Sequence, residues 1–271
     1  MAESIYGKEL ESCENSNCCF CYTFIIYNLL PFKPVNGYSA WGSDEIEVTT
    51  AYGLISKIIL PDSSEVSLNS GSTLRYPQRF VSDTRQVRLI GEAYFKVKAD
   101  PENRFDVLLP DGVCVSAYGT EFNVNAYEDQ LWIETVLADG NMEVTKDGKD
   151  TSFSKVLSPG QMAFTRKGED DILVSNVNLY AKTAWRDGKM VFRRAKMPEI
   201  SRRLSQHFNV DIELHGKELH QYEYSATFTT ETLTDILNLL KQSAPLEWRY
   251  IEPQRRDDFS YTKRKVIIRL L

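Results

Sequence analysis

Arg85-Gln-Val-Arg-Leu-Ile-Gly-Glu-Ala-Tyr-Phe-Lys-Val97, followed by Tyr118-Gly-Thr-Glu-Phe-Asn-Val-Asn-Ala-Tyr127, decides the fold class. Val87, Leu89, Ala93, Phe95 and Val97 alternate with polar residues on either side of Gly91, and Phe122, Val124 and Ala126 repeat the pattern after Gly119. A period of two is the mark of half-buried strands. Each glycine interrupts the alternation, which predicts a bulge or corner where backbones approach closely. The reading extends outward from there. From Glu45 to about Val177, runs such as 54–60, 105–109, 113–117, 131–137, 141–145 and 162–165 are strand-like, and no useful stretch has a 3.6-residue apolar period. Asp111-Gly112, Asp139-Gly140 and Asp147-Gly148 are predicted to supply positive φ for tight hairpins. Many short strands at close spacing imply a sandwich or a solenoid-like stack of antiparallel sheets.

After Trp185-Arg-Asp-Gly188 the period changes. Met197, Ile200, Leu204 and Phe208 have helical spacing, with Pro198 in the first turn, where its missing N–H costs little. A second helix runs through Leu233, Ile236, Leu237 and Leu240, with Thr230 as its expected N-cap. The two segments repeat with an offset of 36 residues: Phe192 matches Phe228, Met197 matches Leu233, Val210 matches Leu246, and Ile212 matches Trp248. Each unit reads strand, helix, strand. The expectation is therefore two βαβ units forming one small sheet covered by two helices, with Val266–Leu270 as a final strand.

These pieces, with Thr49-Thr-Ala-Tyr-Gly53, Leu60-Pro-Asp62, Leu68-Asn-Ser-Gly-Ser72, Tyr76-Pro77, Leu157-Ser-Pro-Gly-Gln161 and Trp185-Arg-Asp-Gly188, resemble the FecR family of bacterial cell-surface-signalling regulators. The resemblance runs from about Val48 to the C-terminus and favours the stacked, solenoid-like form of the β region. It implies a C-terminal module similar to the short N-terminal module of secretins and TonB-dependent receptors (STN-like). It also implies a periplasmic anti-sigma-type sensor in a Gram-negative cell of the Bacteroides kind. Its partner would be the signalling domain of a TonB-dependent outer-membrane transporter, and its output the release of an ECF-type sigma factor. In the family a cytoplasmic helical domain and one membrane span precede the β region. This chain has no room for that helical domain, so sigma binding is expected only through a domain missing here. The resulting division is 1–44 as a leader or degenerate membrane span, 45–180 as a FecR-type all-β domain, and 185–271 as the βαβ-βαβ domain.

Composition narrows the function classes. The 271-residue chain carries a net charge of −6, which argues against a nucleic-acid binder. The dense basic cluster, Arg255-Arg256 with Lys263-Arg-Lys265, reads as a solvated hairpin flank. Four of the five cysteines precede Tyr22, which is no disulfide framework, and Cys114 reads as a small core hydrophobe. Residues 15–32 lack charge and 18–30 are largely apolar, short for the roughly 20 residues of a transmembrane helix, while Glu9, Glu11 and Glu14 replace the basic residues of a signal peptide. Residues 18–32 are read as a short inner-membrane span. Cys13, Cys18, Cys19 and Cys21 lack the spacing of paired zinc knuckles.

No catalytic, cofactor-binding or metal residue is assigned. His207, His215 and His220 show no H-x-x-x-H spacing and read as surface or loop histidines. Acid pairs such as Asp170/Asp171 sit beside turns with no sign of desolvation. No nucleophile elbow or phosphate loop occurs. The candidate partner-binding residues are Tyr222, Tyr224 and Thr227, on an alternating aromatic strand that would offer an edge for strand addition. The alternative reading is a carbohydrate-binding or structural all-β module without a transcriptional role. The C-terminal repeat, which a sugar binder does not need, speaks against it.

Overall fold

The computed structural model describes residues 45–81, 84–148 and 151–271, which lie within one compact unit. The expected span at 18–32 and the four early cysteines lie outside the described residues. Among those described, no helix is long and apolar enough to cross a membrane.

The β lobe contains β1 (Glu45–Thr49), β2 (Ser56–Ile59), β3 (Glu65–Leu68), β4 (Thr73–Pro77), β5 (Thr84–Lys96), β6 (Arg104–Leu108), β7 (Val113–Ala117), β8 (Glu121–Ala126), β9 (Trp132–Asp139), β10 (Met142–Asp147), β11 (Ser152–Leu157), β12 (Gln161–Arg166) and β13 (Leu173–Asn176). All thirteen belong to one sheet, and the 13-residue β5 is its spine. Its first half pairs antiparallel with β4 and parallel with β6. Its second half pairs antiparallel with β3 and β8. The strands therefore run β11-β10-β7-β6-β5-β4-β1 on one flank and β2-β3-β5-β8-β9-β12-β13 on the other. The flanks close around a single core. Phe95 and Phe122 stack at 5.0 Å, and Phe105 from the opposite flank meets Phe95 at 6.1 Å. Burying each such ring is worth about 1.5–3 kcal/mol. The expectation of separate stacked sheets gives way to one bent sheet, and the expected all-antiparallel pairing fails at β5–β6.

Gly91 is the corner at which β5 passes from one flank to the other. Its φ is +104°, and an added Cβ would lie 2.3 Å from Ser72 Oγ and 2.7 Å from Ser72 Cα. The close approach read from the sequence is thus met by the Ser72 backbone. Asp111-Gly112 closes the connection before β7 with φ of +60° and +66°. Asp147-Gly148 does not follow the same rule: Gly148 is outside the positive-φ set, and its N–H bonds Thr151 O at 2.9 Å in a longer closure.

Asp111 has a second role. The buried Lys146 ammonium donates to Asp111 Oδ2 at 2.9 Å and to Arg166 O at 2.7 Å. Removing one partner of a buried pair leaves an uncompensated charge. Asp111→Asn keeps a residue that tolerates left-handed backbone and deletes only the charge. It is expected to lower stability by about 2–4 kcal/mol in chemical denaturation, whereas Asp111→Asn together with Lys146→Met should recover most of that loss.

The C-terminal part follows through α1 (Leu179–Thr183), β14 (Met190–Lys196), α2 (Met197–Phe208), β15 (Val210–His215), β16 (Glu223–Phe228), α3 (Leu233–Ser243), β17 (Leu246–Ile251) and β18 (Arg264–Leu270). The 36-residue offset reappears in the element starts: α2 and α3 begin at Met197 and Leu233, β15 and β17 at Val210 and Leu246. Pro198 occupies the first turn of α2 as expected. The N-cap of α3 is Thr232, not Thr230. Thr232 and Asp235 form a reciprocal capping box, while the Glu231 carboxylate takes the Thr229 and Thr230 N–H groups. The expected single sheet is also corrected. β14 and β16 form a two-stranded antiparallel sheet, and β15-β18-β17 form a three-stranded one. The repeat units do not pair their own strands. β18, parallel to β15 and antiparallel to β17, joins them instead. One core draws Phe192, Ile200, Leu204, Phe228, Ile236, Leu240 and Ile268 from both sheets and both helices.

Candidate protein-interaction surface

β16 pairs with β14 on one side and, among the described strands, with none on the other. Met197 N donates to Tyr222 O at 3.0 Å, so the Tyr222 carbonyl points toward the β14 side. Backbone groups alternate sides along a strand. Those of Tyr224, Ala226 and Phe228 therefore share that side, and those of Glu223, Ser225 and Thr227 face the open edge. Side chains alternate as well, between the two faces of the sheet. Tyr222, Tyr224 and Ala226 are half-buried and pack on the C-terminal core, whereas Glu223, Ser225 and Thr227 are exposed. The structure thus places Thr227 on a free edge and turns Tyr222 and Tyr224 inward. Tyr224 Oη is buried without a hydrogen-bond partner. The sequence-based picture of two exposed aromatic anchors is corrected accordingly: alternation groups residues on one face but does not say which face meets the core. A bulge between Phe192 and Ala195 of β14 brings Arg194, at φ +50°, to donate its N–H to Ser225 Oγ at 2.9 Å.

The sheet carrying this edge is tied to the β lobe by contacts that the periodicity did not reveal. Trp185 Nε1 donates to Asn123 Oδ1 at 3.0 Å, and Asn123 Nδ2 donates onward to Glu92 Oε1 at 3.0 Å. Asn69 Nδ2 donates to Glu92 Oε2 at 2.7 Å. Ser70 Oγ reaches the last carbonyls of α2, at Gln206 and His207, 3.0 and 3.3 Å away. Those carbonyls have no partner within the helix, so the serine closes the α2 C-terminus from another part of the fold. The Arg186 guanidinium lies 3.6 Å from the centre of the Tyr94 ring. The sequence signal lies in Trp185-Arg-Asp-Gly188, which the sequence marks as a family motif and as the point where the period changes but not as a contact between the two parts. His207 belongs to this contact rather than to the free surface, and burial lowers its pKa. His215 and His220 are exposed. Cys114 is a free thiol that burial and the Asp106 charge push up to about 11, so it stays protonated at neutral pH.

Lys182 of α1 pairs with Glu134 of β9 at 2.8 Å. Burial pushes the Glu134 carboxyl up, but Lys182, Arg202 and Arg203 together hold it below the ordinary glutamate value. A carboxyl depressed in the folded state stabilises the fold above its unfolded pKa and loses that contribution as pH falls through the folded value. Stability is therefore expected to drop below about pH 4.5. Glu134→Gln should flatten that acid limb in denaturation midpoints measured from pH 6 to 3.

Among the described residues no group of three or more His, Cys, Asp or Glu side chains is placed to hold a metal ion. Residues 46–143 match the FecR protein family model, and residues 189–256 match the FecR C-terminal model. The chain belongs to the FecR family. Its two matched segments fall on the β lobe and on the part that carries β14, β16 and both long helices. No curated protein matches it. Two crystal structures of a candidate anti-sigma factor from Parabacteroides distasonis are similar to it, each at 25% identity and a TM-score of 0.67. One covers 82% of this chain and 98% of the other, and the second covers 84% and 99%. FecR membership and these neighbours give the chain a regulatory, signalling role rather than a catalytic one.

Proposed function

We propose that this FecR-family chain is a periplasmic sensor of the anti-sigma type that acts by binding other proteins. It receives a signal from a TonB-dependent outer-membrane transporter and passes it toward an ECF-type sigma factor. The C-terminal part, 185–271, is the receiving module, and 45–180 is the β body that supports it. Anchoring in the inner membrane and contact with the sigma factor belong to sequence outside the described residues or to another polypeptide. The observation that carries this reading is the open β16 edge, with Glu223, Ser225 and Thr227 facing outward from a two-stranded sheet. An unpaired strand edge accepts a partner strand through main-chain hydrogen bonds, and neighbouring side chains set specificity.

The test is isothermal titration of the full chain with the isolated signalling domains of the TonB-dependent transporters of the same organism. One-to-one binding at micromolar Kd or tighter is expected. In the same cells, deletion of the chain should change transcription from promoters that depend on an ECF-type sigma factor when the transporter's nutrient is supplied. Absence of binding together with unchanged transcription would overturn the reading.

A further inference from the structure

A cavity of about 70 Å3 lies where the β lobe meets α2, β14 and the β16–α3 connection. On that measure one water needs roughly 10–15 Å3. The space therefore suits a group of about five waters, or one ligand of similar bulk. Its wall is polar in an unusual way. Arg203 lines it, and Nη1 makes the guanidinium's one hydrogen bond among the described residues, to Val191 O at 2.7 Å. A guanidinium has five N–H donors, so this one keeps donors to spare. Burial lowers its pKa, the Glu92 and Glu199 charges oppose that shift, and the Phe192 ring centre lies 4.6 Å from the guanidinium carbon. Gln206, one turn along the same helix, also lines the cavity, and its Nε2 is buried without a partner. Two sets of unused donors thus converge from one helix face.

The acidic side of the cavity comes from Glu92 of the β lobe and Glu231 ahead of α3. With Lys189 and Arg203 they bring the charged wall to balance, while Trp185 supplies an apolar surface. A multiply charged anion would meet two carboxylates, and a lone cation would meet two basic groups. A molecule bearing one charge of each sign meets neither penalty.

We propose that this inter-lobe cavity binds a small zwitterion of the amino-acid type, its carboxylate on Arg203 and Gln206 and its ammonium toward Glu92 and Glu231. Since both lobes supply the wall, such a ligand would clasp them together and add a small-molecule input to the regulator.

Thermal unfolding and titration calorimetry of the full chain with L-alanine test this. Acetate, methylammonium and inorganic phosphate serve as separate probes. Saturable binding of alanine is expected, raising the melting temperature. Acetate and methylammonium, each half of the molecule, should bind at least tenfold more weakly. Gln206→Leu, which leaves the Ser70 contact to the backbone intact, should weaken alanine at least tenfold without lowering the melting temperature of the free protein. Arg203→Gln should do the same where it folds, and Gln206→Leu with Glu231→Gln decides the matter where it does not. No saturable binding of alanine, phosphate binding as tightly as alanine, or alanine binding unchanged in Gln206→Leu and Glu231→Gln would each overturn the proposal.

Discussion

Gly91→Ala is expected to destabilise the protein by about 3–5 kcal/mol, a large share of the roughly 5–15 kcal/mol that holds a domain folded. Two effects add. At φ +104° a side chain is strained, which costs on the order of 1–3 kcal/mol. The new methyl would also lie 2.3 Å from Ser72 Oγ, 2.5 Å from its Cβ and 2.7 Å from its Cα. Rotating the serine away is no escape, because the backbone atom stays and because Ser72 Oγ accepts the Glu92 N–H at 2.8 Å. Relieving the overlap means moving β5 against β4, and overpacking of that kind costs about 1–3 kcal/mol. Gly160→Ala is the matched control. Gly160 has φ +83° and nothing within 4 Å of an added Cβ, so it should lose only the backbone part. Denaturant midpoints of the two variants separate strain from clash, and equal losses would mean that Ser72 does not close the corner.

Thr227→Pro is expected to weaken partner binding by tenfold to a hundredfold, about 1.4–2.8 kcal/mol, with a much smaller loss of fold stability. Proline removes one N–H and fixes φ. At Thr227 that N–H faces the open edge, so no ladder bond to β14 is lost, and proline is tolerated at such edges. An incoming strand, by contrast, loses a donor and meets the ring. Ala226→Pro, one residue away, removes an inward-facing N–H and should instead cost stability directly. Calorimetry for binding and chemical denaturation for folding distinguish the two positions. Thr227→Val should retain binding, since the backbone donor remains.

The β body was legible because its signals are local. Alternation around Gly91 marked β5 and its corner, Asp111-Gly112 marked a true positive-φ turn, and the 36-residue offset located both long helices and the strands that follow them. β4 was missed because Thr73–Pro77 is short and ends in proline, which demotes a run as a strand, and β13 because Leu173–Asn176 is exposed along its whole length. Strand partners were a different matter. Nothing in Val210–His215 or Val266–Leu270 states that they run side by side, because pairing is a long-range choice settled by packing. The inter-lobe contacts failed for the same reason: Trp185 and Asn123, or Ser70 and Gln206, are far apart in sequence and obey no period. The tyrosines of β16 show the limit most clearly. Their alternation was read correctly, yet the core-facing side emerged only once α2 and α3 were placed against it.

Residue-resolved hydrogen exchange of the full chain, free and bound to the transporter signalling domain, tests the central claim most directly. Pairing at the β16 edge predicts that the amides of Glu223, Ser225 and Thr227 gain strong protection on binding, while β1 and β13, each unpaired on one side among the described strands, stay unchanged. Protection appearing at β1 or β13 with Glu223, Ser225 and Thr227 exchanging as in the free protein would contradict it.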